Sequence, residues 1–521
     1  MPIDDERRDG PGRDYGETLW TPGPDTIERA RISDYQRWLA AEWTVPTSGY
    51  DELWRWSVDE PGQFWASIWD YFDVLGQRGD GPELSSGQMP DVTWFAGATL
   101  NYAQNALRAA RATPARTAVL AYGEEGLRER ISYRELERRV AAVAAGLREL
   151  GVGLGDRVAG YLPNAPEALI AMLAAASLGA IWTSCSPDFG ATSVIDRFAQ
   201  IAPRVLIAAD GYVYGGKRFD RRAQAEQIAA ALPGLHALVT VSYLGSDVTP
   251  PSVTTEPVTT EPVTSAPGLT RLSWAELAGR DAGGELSFTQ VPFAHPLWVL
   301  YSSGTTGLPK PIVHGHGGIV LEHLKALCLH QDLGARPDPD GGPDRPDVFF
   351  WYTTTGWMMW NYLVSGLLAG VTVVTYDGSA VHPDVGALWQ LAAQAGVTYL
   401  GTGAPYLTAC MKEGLRPADS YDLSALRGVG STGSPLPPEG FTWVYQAVAG
   451  GSRAPEFVLG SFSGGTDVCT GFVGPNPLLP VRAGIIGGRC LGARVEAFDA
   501  AGRPVIGEVG ELVVTTPMPS M

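Results

Sequence analysis

Tyr301-Ser302-Ser303-Gly304-Thr305-Thr306-Gly307-Leu308-Pro309-Lys310 is the stretch on which the reading of this chain turns. The apolar run ahead of it, Leu297 to Tyr301, predicts a buried strand. Four hydroxyl residues, two glycines and a lysine then fall within nine positions. Glycines let backbone N–H groups approach an anion, hydroxyls add donors, and Lys310 adds a mobile positive charge. That combination suits a polyphosphate. A Walker A loop would need G-x-x-x-x-G-K-[ST]. Here Pro309 takes the place of its second glycine and Pro311 follows Lys310, so that reading fails.

Working outward, strands and helices alternate on both sides. Ser132 and Glu135 carry a capping-box signature, and Leu136, Val140, Val143, Leu147 and Leu150 follow at helical spacing. Strands are expected at Val158–Leu162, Val205–Ala209 and Leu238–Tyr243, with helices between them. A second series is expected at Leu297–Tyr301, Val348–Tyr352, Val371–Tyr376, Thr398–Gly401 and Phe457–Leu459. Helices between strands imply right-handed crossovers and mostly parallel sheets, an α/β fold. The expected division is an aromatic-rich, mostly helical cap at 1–105, a first α/β subdomain at 106–296, a second at 297–480 and a β-hairpin region at 481–521. Trp65, Trp69 and Phe72 fit a helical stripe and read as core. The Thr/Pro/Glu repeat within 245–270 reads as an extended surface loop. Arg494–Phe498 and Glu511–Thr515 alternate around Asp499–Gly502, a hairpin pattern.

The chain has 521 residues, long enough to bury a large core, and a net charge of −18. That balance argues against nucleic acid and against an anionic membrane surface. The longest apolar run, Leu169 to Trp182, is too short for a bilayer, which needs about 20 helical residues. Five scattered cysteines with no C-x-x-C suit a reducing cytosol, so a cytoplasmic protein is expected. Gly428-Val429-Gly430-Ser431-Thr432-Gly433 is formally G-x-G-x-x-G. The prolines at 435, 437 and 438 delay any helix, which disfavours a dinucleotide site and favours a loop passing close to a flat ligand.

Further segments make a resemblance specific. Phe350-Trp351-Tyr352 leads into Thr355-Gly356-Trp357; Gly430 to Pro435 form a second glycine-rich segment; Gly464-Gly465-Thr466-Asp467 pair a threonine with an acid; and Gly507-Glu508-Val509-Gly510-Glu511-Leu512 follow near the end. With Tyr301–Lys310, these resemble in order and spacing the motifs of the adenylate-forming superfamily: acyl-CoA synthetases, peptide-synthetase adenylation domains and luciferases. Trp94-Phe95-Ala96-Gly97 with Leu100-Asn101-Tyr102 resembles the acetyl-CoA synthetase branch. The resemblance covers essentially the whole chain. It implies the large N-terminal domain of that fold: two mostly parallel, helix-flanked sheets and a smaller β-barrel-like part.

The resemblance also implies a ligase that joins a carboxylate to Mg-ATP as an acyl-adenylate, releases pyrophosphate, and passes the acyl group to coenzyme A with release of AMP. Ser302, Ser303, Gly304, Thr305, Thr306, Gly307 and Lys310 would hold the β- and γ-phosphates. Gly433, Ser434 and Pro435 would line the adenine, with Ser461, Phe462 and Ser463 beside the nucleotide. Thr466 would bond the α-phosphate. Asp467, where the family usually has Glu, would carry magnesium, a water filling the missing methylene; the alternative is a turn or N-cap carboxylate. Thr466, Asp467 and Lys310 are the implied catalytic residues.

The acyl pocket departs from the acetyl branch, which closes it with a tryptophan where Gly464 stands. Each methylene of fit is worth about 1–3 kcal/mol. An acid two carbons longer than acetate, acetoacetate, is therefore expected, with acetate- or propionate-type acids as the alternative. Trp357, Met358 and Met359 would line the pocket, the methionines being alternatively plain core, and Asn361 or Thr432 would bond a β-keto oxygen. Gly464→Trp should then turn the preference toward acetate. Lys217 and Arg218, after Gly215-Gly216, match the neighbourhood of the family's contacts to the 3′-phosphate of coenzyme A, although Tyr214 replaces an arginine there; an ordinary surface lysine is the competing reading. His314, His316, His323 and His330 fit no metal-ligand spacing. Family members continue into a ribose-binding Asp, a hinge and a small lid domain with the adenylation lysine, none of which occurs in these 521 residues. The chain is thus expected to lack the lid, keep the pocket and adenylate poorly, and a protein acetyltransferase acting on the lid is an expected partner. A peptide-synthetase adenylation domain and a silent nucleotide-binding protein remain the competing functions.

Overall fold

The computed structural model describes residues 15–45, 47–245, 268–280, 285–302, 307–336, 344–451 and 457–521. Two seven-stranded sheets form its body. In the first, the strand order is Thr270–Ser273, Ala237–Val241, Val205–Ala209, Arg157–Tyr161, Ile181–Cys185, Pro296–Ser302, Lys310–Gly315. In the second it is Val458–Ser461, Gly428–Thr432, Tyr399–Gly403, Val348–Trp351, Thr372–Asp377, Thr117–Gly123, Gly126–Ser132. Within each, the pairings are parallel except the last, which is an antiparallel hairpin.

The sheets do not follow the boundary drawn at 296/297. Pro296–Ser302 and Lys310–Gly315 complete the first sheet, while Thr117–Ser132 completes the second. The chain crosses between layers twice, and local hydrophobic pattern carries no record of which sheet a strand joins. The β-barrel-like part is also corrected. Ser463–Gly465, Thr470–Gly474 and Gly488–Arg489 form one three-stranded antiparallel sheet and Val495–Phe498, Pro504–Val505 and Glu511–Val514 another, with no closed barrel among the described residues. The hairpin itself has Val495 opposite Val514 and Phe498 opposite Glu511. Of the repeat at 245–270, residues 246–267 lie outside the described residues.

Each edge hairpin runs straight into a helix. Ser132 caps Tyr133–Glu149 by accepting from Glu135 N at 3.2 Å. Only half of the capping box forms, because the Glu135 carboxylate turns to Arg138 and Arg139. The reciprocal box occurs instead at Ser273 and Glu276. After the other hairpin, His316–Leu324 and Lys325–His330 are buried along their whole length. The N-terminal region is helical, and Trp65 and Trp69 of Pro61–Tyr71 join the main core. No helix among the described residues is long and apolar enough to cross a membrane.

Candidate functional site

A cavity of about 490 Å³ opens beside the carboxyl ends of the second sheet's strands, between the helix Met358–Val364 and the hairpin Ser463–Gly474. This is where an open parallel sheet offers a crevice to a ligand. Trp357, Met358 and Met359 line one wall, joined by Tyr362 one helical turn on from Met358. Thr432, Gly433, Ser434 and Pro435 follow the strand Gly428–Thr432 along the rim. Gly433 has φ +85°, a conformation open to glycine, and its neighbours Ser434 and Pro435 are exposed before the helix starts at Pro438. Ser461, Phe462, Ser463, Gly464 and Thr466 complete the sequence-derived set on the opposite wall.

Glycine at 464 has a second cause besides cavity length. A Cβ there would sit 2.1 Å from the Thr470 carbonyl oxygen and 2.7 Å from Gly471 Cα. The paired strand Thr470–Gly474 therefore excludes any side chain at 464 unless backbone moves. That overturns Gly464→Trp as a test of acyl length, because tryptophan would break the hairpin before it filled the pocket. Behind this wall, Lys325 Nζ lies 2.7 Å from Glu322 Oε1 with both side chains fully buried. Burial pushes the Glu322 carboxyl up, with Lys325 and Thr470 opposing. Removing one partner of such a pair costs about 3–5 kcal/mol, so the hairpin rests on a stiff support.

The two candidates for binding a keto oxygen are placed differently by the structure. Asn361 is buried, lies off the cavity wall, and has no hydrogen-bond partner for its amide among the described residues. The Thr432 hydroxyl donates to the Phe462 carbonyl at 3.3 Å, so its one proton is engaged.

Thr466 stands at the cavity edge, and its main chain is tied to the strand that leaves the phosphate loop. His314 Nε2 lies 2.9 Å from Thr466 O, and Nδ1 lies 2.8 Å from Ser520 O. Burial lowers the pKa of His314, with the two carbonyls opposing. His323 Nε2 meets Cys469 O at 2.8 Å and His330 Nδ1 meets Pro475 O at 3.2 Å. His314 on its strand and His323 and His330 on the buried helix therefore brace these elements against the 466–475 segment. Asp467 is exposed beside Thr466, off the cavity wall, with no ion pair to another described residue. A free carboxylate at that place fits Mg²⁺, a hard cation that binds one or two carboxylates, several waters and phosphate oxygens.

Lys310 opens the edge strand, exposed and paired in register with Ser302. Gly307 has φ +134°. Ser303, Gly304, Thr305 and Thr306 lie outside the described residues. Lys217 is exposed on the hairpin Gly211–Asp220 and is not part of the cavity. Residues not anticipated from sequence include Thr470, Gly471, Gly484 and Ile486. Tyr362 could have been found from its four-residue spacing to Met358; Gly484 and Ile486 arrive from a distant segment with no local signal.

The chain is similar to known proteins over nearly its whole length. The family profile "AMP-binding enzyme" matches residues 107–521, and "Acetyl-coenzyme A synthetase N-terminus" matches residues 50–106. The acetoacetyl-coenzyme A synthetase of Rhizobium meliloti (strain 1021) is 42% identical over 504 residues, covering 96% of this chain and 72% of that protein. The acetoacetyl-CoA synthetase of Gallus gallus is 38% identical over 507 residues, covering 96% of this chain and 72% of that protein. The solved acetoacetyl-CoA synthetase from Streptomyces lividans has a TM-score of 0.87 and 47% identity, covering 97% of this chain and 73% of that one.

Proposed function

The chain belongs to the AMP-binding enzyme family and carries the acetyl-coenzyme A synthetase type of N-terminus, and on that premise we propose that it activates acetoacetate with ATP and transfers the acyl group to coenzyme A. The observation that carries the choice of acid is the cavity wall: two adaptable methionines face a glycine hairpin that no indole can enter. Acetate would leave such a slot partly empty, whereas a four-carbon acid fills more of it.

The acid and the triphosphate are both anions, so the site must hold them together against repulsion. Lys310 and the hydroxyls of its loop hold the outer phosphates. Thr466 donates near the α-phosphate, where charge builds up as the carboxylate oxygen attacks. His314 ties Thr466 to the strand that begins at Lys310. The rim Gly433–Pro435 takes the adenine face. Asp467 would hold Mg²⁺, which when bound neutralises phosphate charge. Lys217 meets the 3′-phosphate of coenzyme A in the second half-reaction.

ATP–pyrophosphate exchange over acetate, propionate, butyrate and acetoacetate, run on the natural full-length enzyme, tests this reading. Acetoacetate should exceed acetate by at least about tenfold in kcat/KM. Equal rates for the two would refute the acid assignment while leaving the ligase class intact.

A further inference from the structure

Outside the cavity, the two halves of the molecule meet tip to tip through a carboxylate. Glu124 stands at the turn between Thr117–Gly123 and Gly126–Ser132, its side chain 4% exposed. Its Oε1 accepts from Gly215 N at 2.6 Å and from Ser379 N at 2.8 Å, and its Oε2 accepts from Gly216 N at 2.7 Å. Gly215 and Gly216 are themselves the two-residue tip of a hairpin in which Tyr214 pairs with Lys217. Their φ values of 62° and 72° are what a tight type I′ connection requires. A Cβ at Gly216 would lie 2.9 Å from the His382 ring, so the tip sits flush against the second sheet. One residue before the turn, Val213 N approaches Asp377 Oδ2 at 3.5 Å.

A shielded carboxylate that takes three main-chain N–H groups leaves the turn one position, since such charge-assisted bonds are roughly twice as strong as neutral ones. The next residue is Lys217, which is exposed. Its basic neighbours are engaged: Arg218 donates to the Leu244 carbonyl, Arg221 to the Pro187 carbonyl, and Arg222 pairs with Asp220. Lys217 is thus the cation that this hairpin, among its described residues, presents to solvent from a fixed base.

We propose that Glu124 is a positioning residue for coenzyme A. It locks the Gly215–Gly216 turn so that Lys217 meets the 3′-phosphate, and the step it serves is thiol transfer. This rests on the reading of Lys217 given above. The first half-reaction uses no coenzyme A, and dephospho-coenzyme A lacks only the 3′-phosphate, so the two effects separate cleanly.

In the natural full-length enzyme, Glu124→Gln puts an amide nitrogen against an N–H donor. The preference for coenzyme A over dephospho-coenzyme A in kcat/KM should shrink about fivefold or more, while ATP–pyrophosphate exchange stays within about twofold. Lys217→Ala should shrink the same ratio, and the double variant should shrink it no further. Should Glu124→Gln not fold, Gly215→Ala strains the turn at φ 62° without touching the carboxylate, and must shrink the ratio too. Parallel loss with both thiols and in exchange, or an unchanged ratio, would overturn the proposal and leave Glu124 as general support. If Lys217→Ala leaves the ratio unchanged, the reading of Lys217 fails and the proposal falls with it. If Lys217→Ala shrinks the ratio and Glu124→Gln does not, the clamp alone is wrong.

Discussion

Each sheet closes with an antiparallel hairpin that feeds directly into a helix, and the two copies of this device differ in every functional respect. Pro296–Gly315 has a long hydroxyl- and glycine-rich tip and an exposed lysine where the return strand begins. Thr117–Ser132 has a two-residue tip, Glu124–Glu125, and presents a carboxylate. By its residue types one tip is suited, on the function proposed above, to an anionic ligand; the other is an anion that fills donors of the protein itself. The helices differ as well. His316–His330 is sealed in the core, whereas Tyr133–Glu149 carries Glu135, Arg138 and Arg139 toward solvent. Shared topology therefore does not set the chemistry; the residue types at each tip do, and on the function proposed above those of the first tip suit a phosphate.

The sharpest way to break this contrast is at Lys310. A hydrogen bond to a charged group is worth about 1.5–3 kcal/mol, so Lys310→Ala should lower kcat/KM for ATP about 10- to 100-fold. The value for coenzyme A at saturating ATP should fall by less than about threefold, because that step follows departure of the outer phosphates. Steady-state kinetics with each substrate varied in turn checks it. Equal losses would mean that Lys310 supports the fold and holds no phosphate.

The helices separate by pH. Burial lowers His316, His323 and His330 from 6.5 to about 3. The unfolded chain takes up these protons near pH 6.5 while the folded chain refuses them until about pH 3. Stability is therefore whole above about 6.5 and falls as pH drops through that window, by roughly 1.4 kcal/mol per pH unit for each histidine. His316 Nδ1 accepts from Tyr102 N at 3.1 Å, a bond that an asparagine oxygen can replace. His316→Asn should flatten the dependence by about one histidine's share, read as urea midpoints between pH 7 and pH 5. An unchanged slope would mean that the ring is protonated in place.

How far these differences were legible varies with their cause. The Tyr301–Lys310 loop, the Gly433–Pro435 rim and the Thr466–Asp467 turn are contiguous strings whose chemistry is written in residue type, and the rim and Thr466 come together around the cavity. The helix Tyr133–Glu149 and its Ser132 cap followed from periodicity. What was hidden depends on partners remote in sequence. Gly464 looked like an emptied pocket position, and nothing local shows that Thr470 O blocks its Cβ. Asn361 was expected to face a β-keto oxygen, but on the helix that puts Met358, Met359 and Tyr362 on the wall it lies off it. Glu124 carries no local signal of its role, because its partners lie 91, 92 and 255 positions away. The crossing of edge hairpins between sheets was hidden for the same reason.

The smallest expected effects lie on the second hairpin and its helix, and they sharpen the comparison by being small. Hydrogen bonding to Arg138 and Arg139 lowers Glu135 to about 2. A depressed carboxylate contributes stability above its ordinary value of about 4.5, and that contribution is lost as pH falls from there toward 2. Glu135 lies at the surface, where such pairs are worth only about 0.3–0.5 kcal/mol, so Glu135→Gln should cost a few tenths at pH 7 and nothing below about pH 2. Arg128, whose guanidinium lies 4.5 Å from the Tyr243 ring centre, should matter as little: Arg128→Ala is expected to cost about 0.5–1 kcal/mol. Neither should move kcat/KM for ATP by more than about twofold. If Arg128→Ala impaired ATP use as Lys310→Ala does, the two hairpins would share a role, and the difference between their tips would not be what locates the phosphate site.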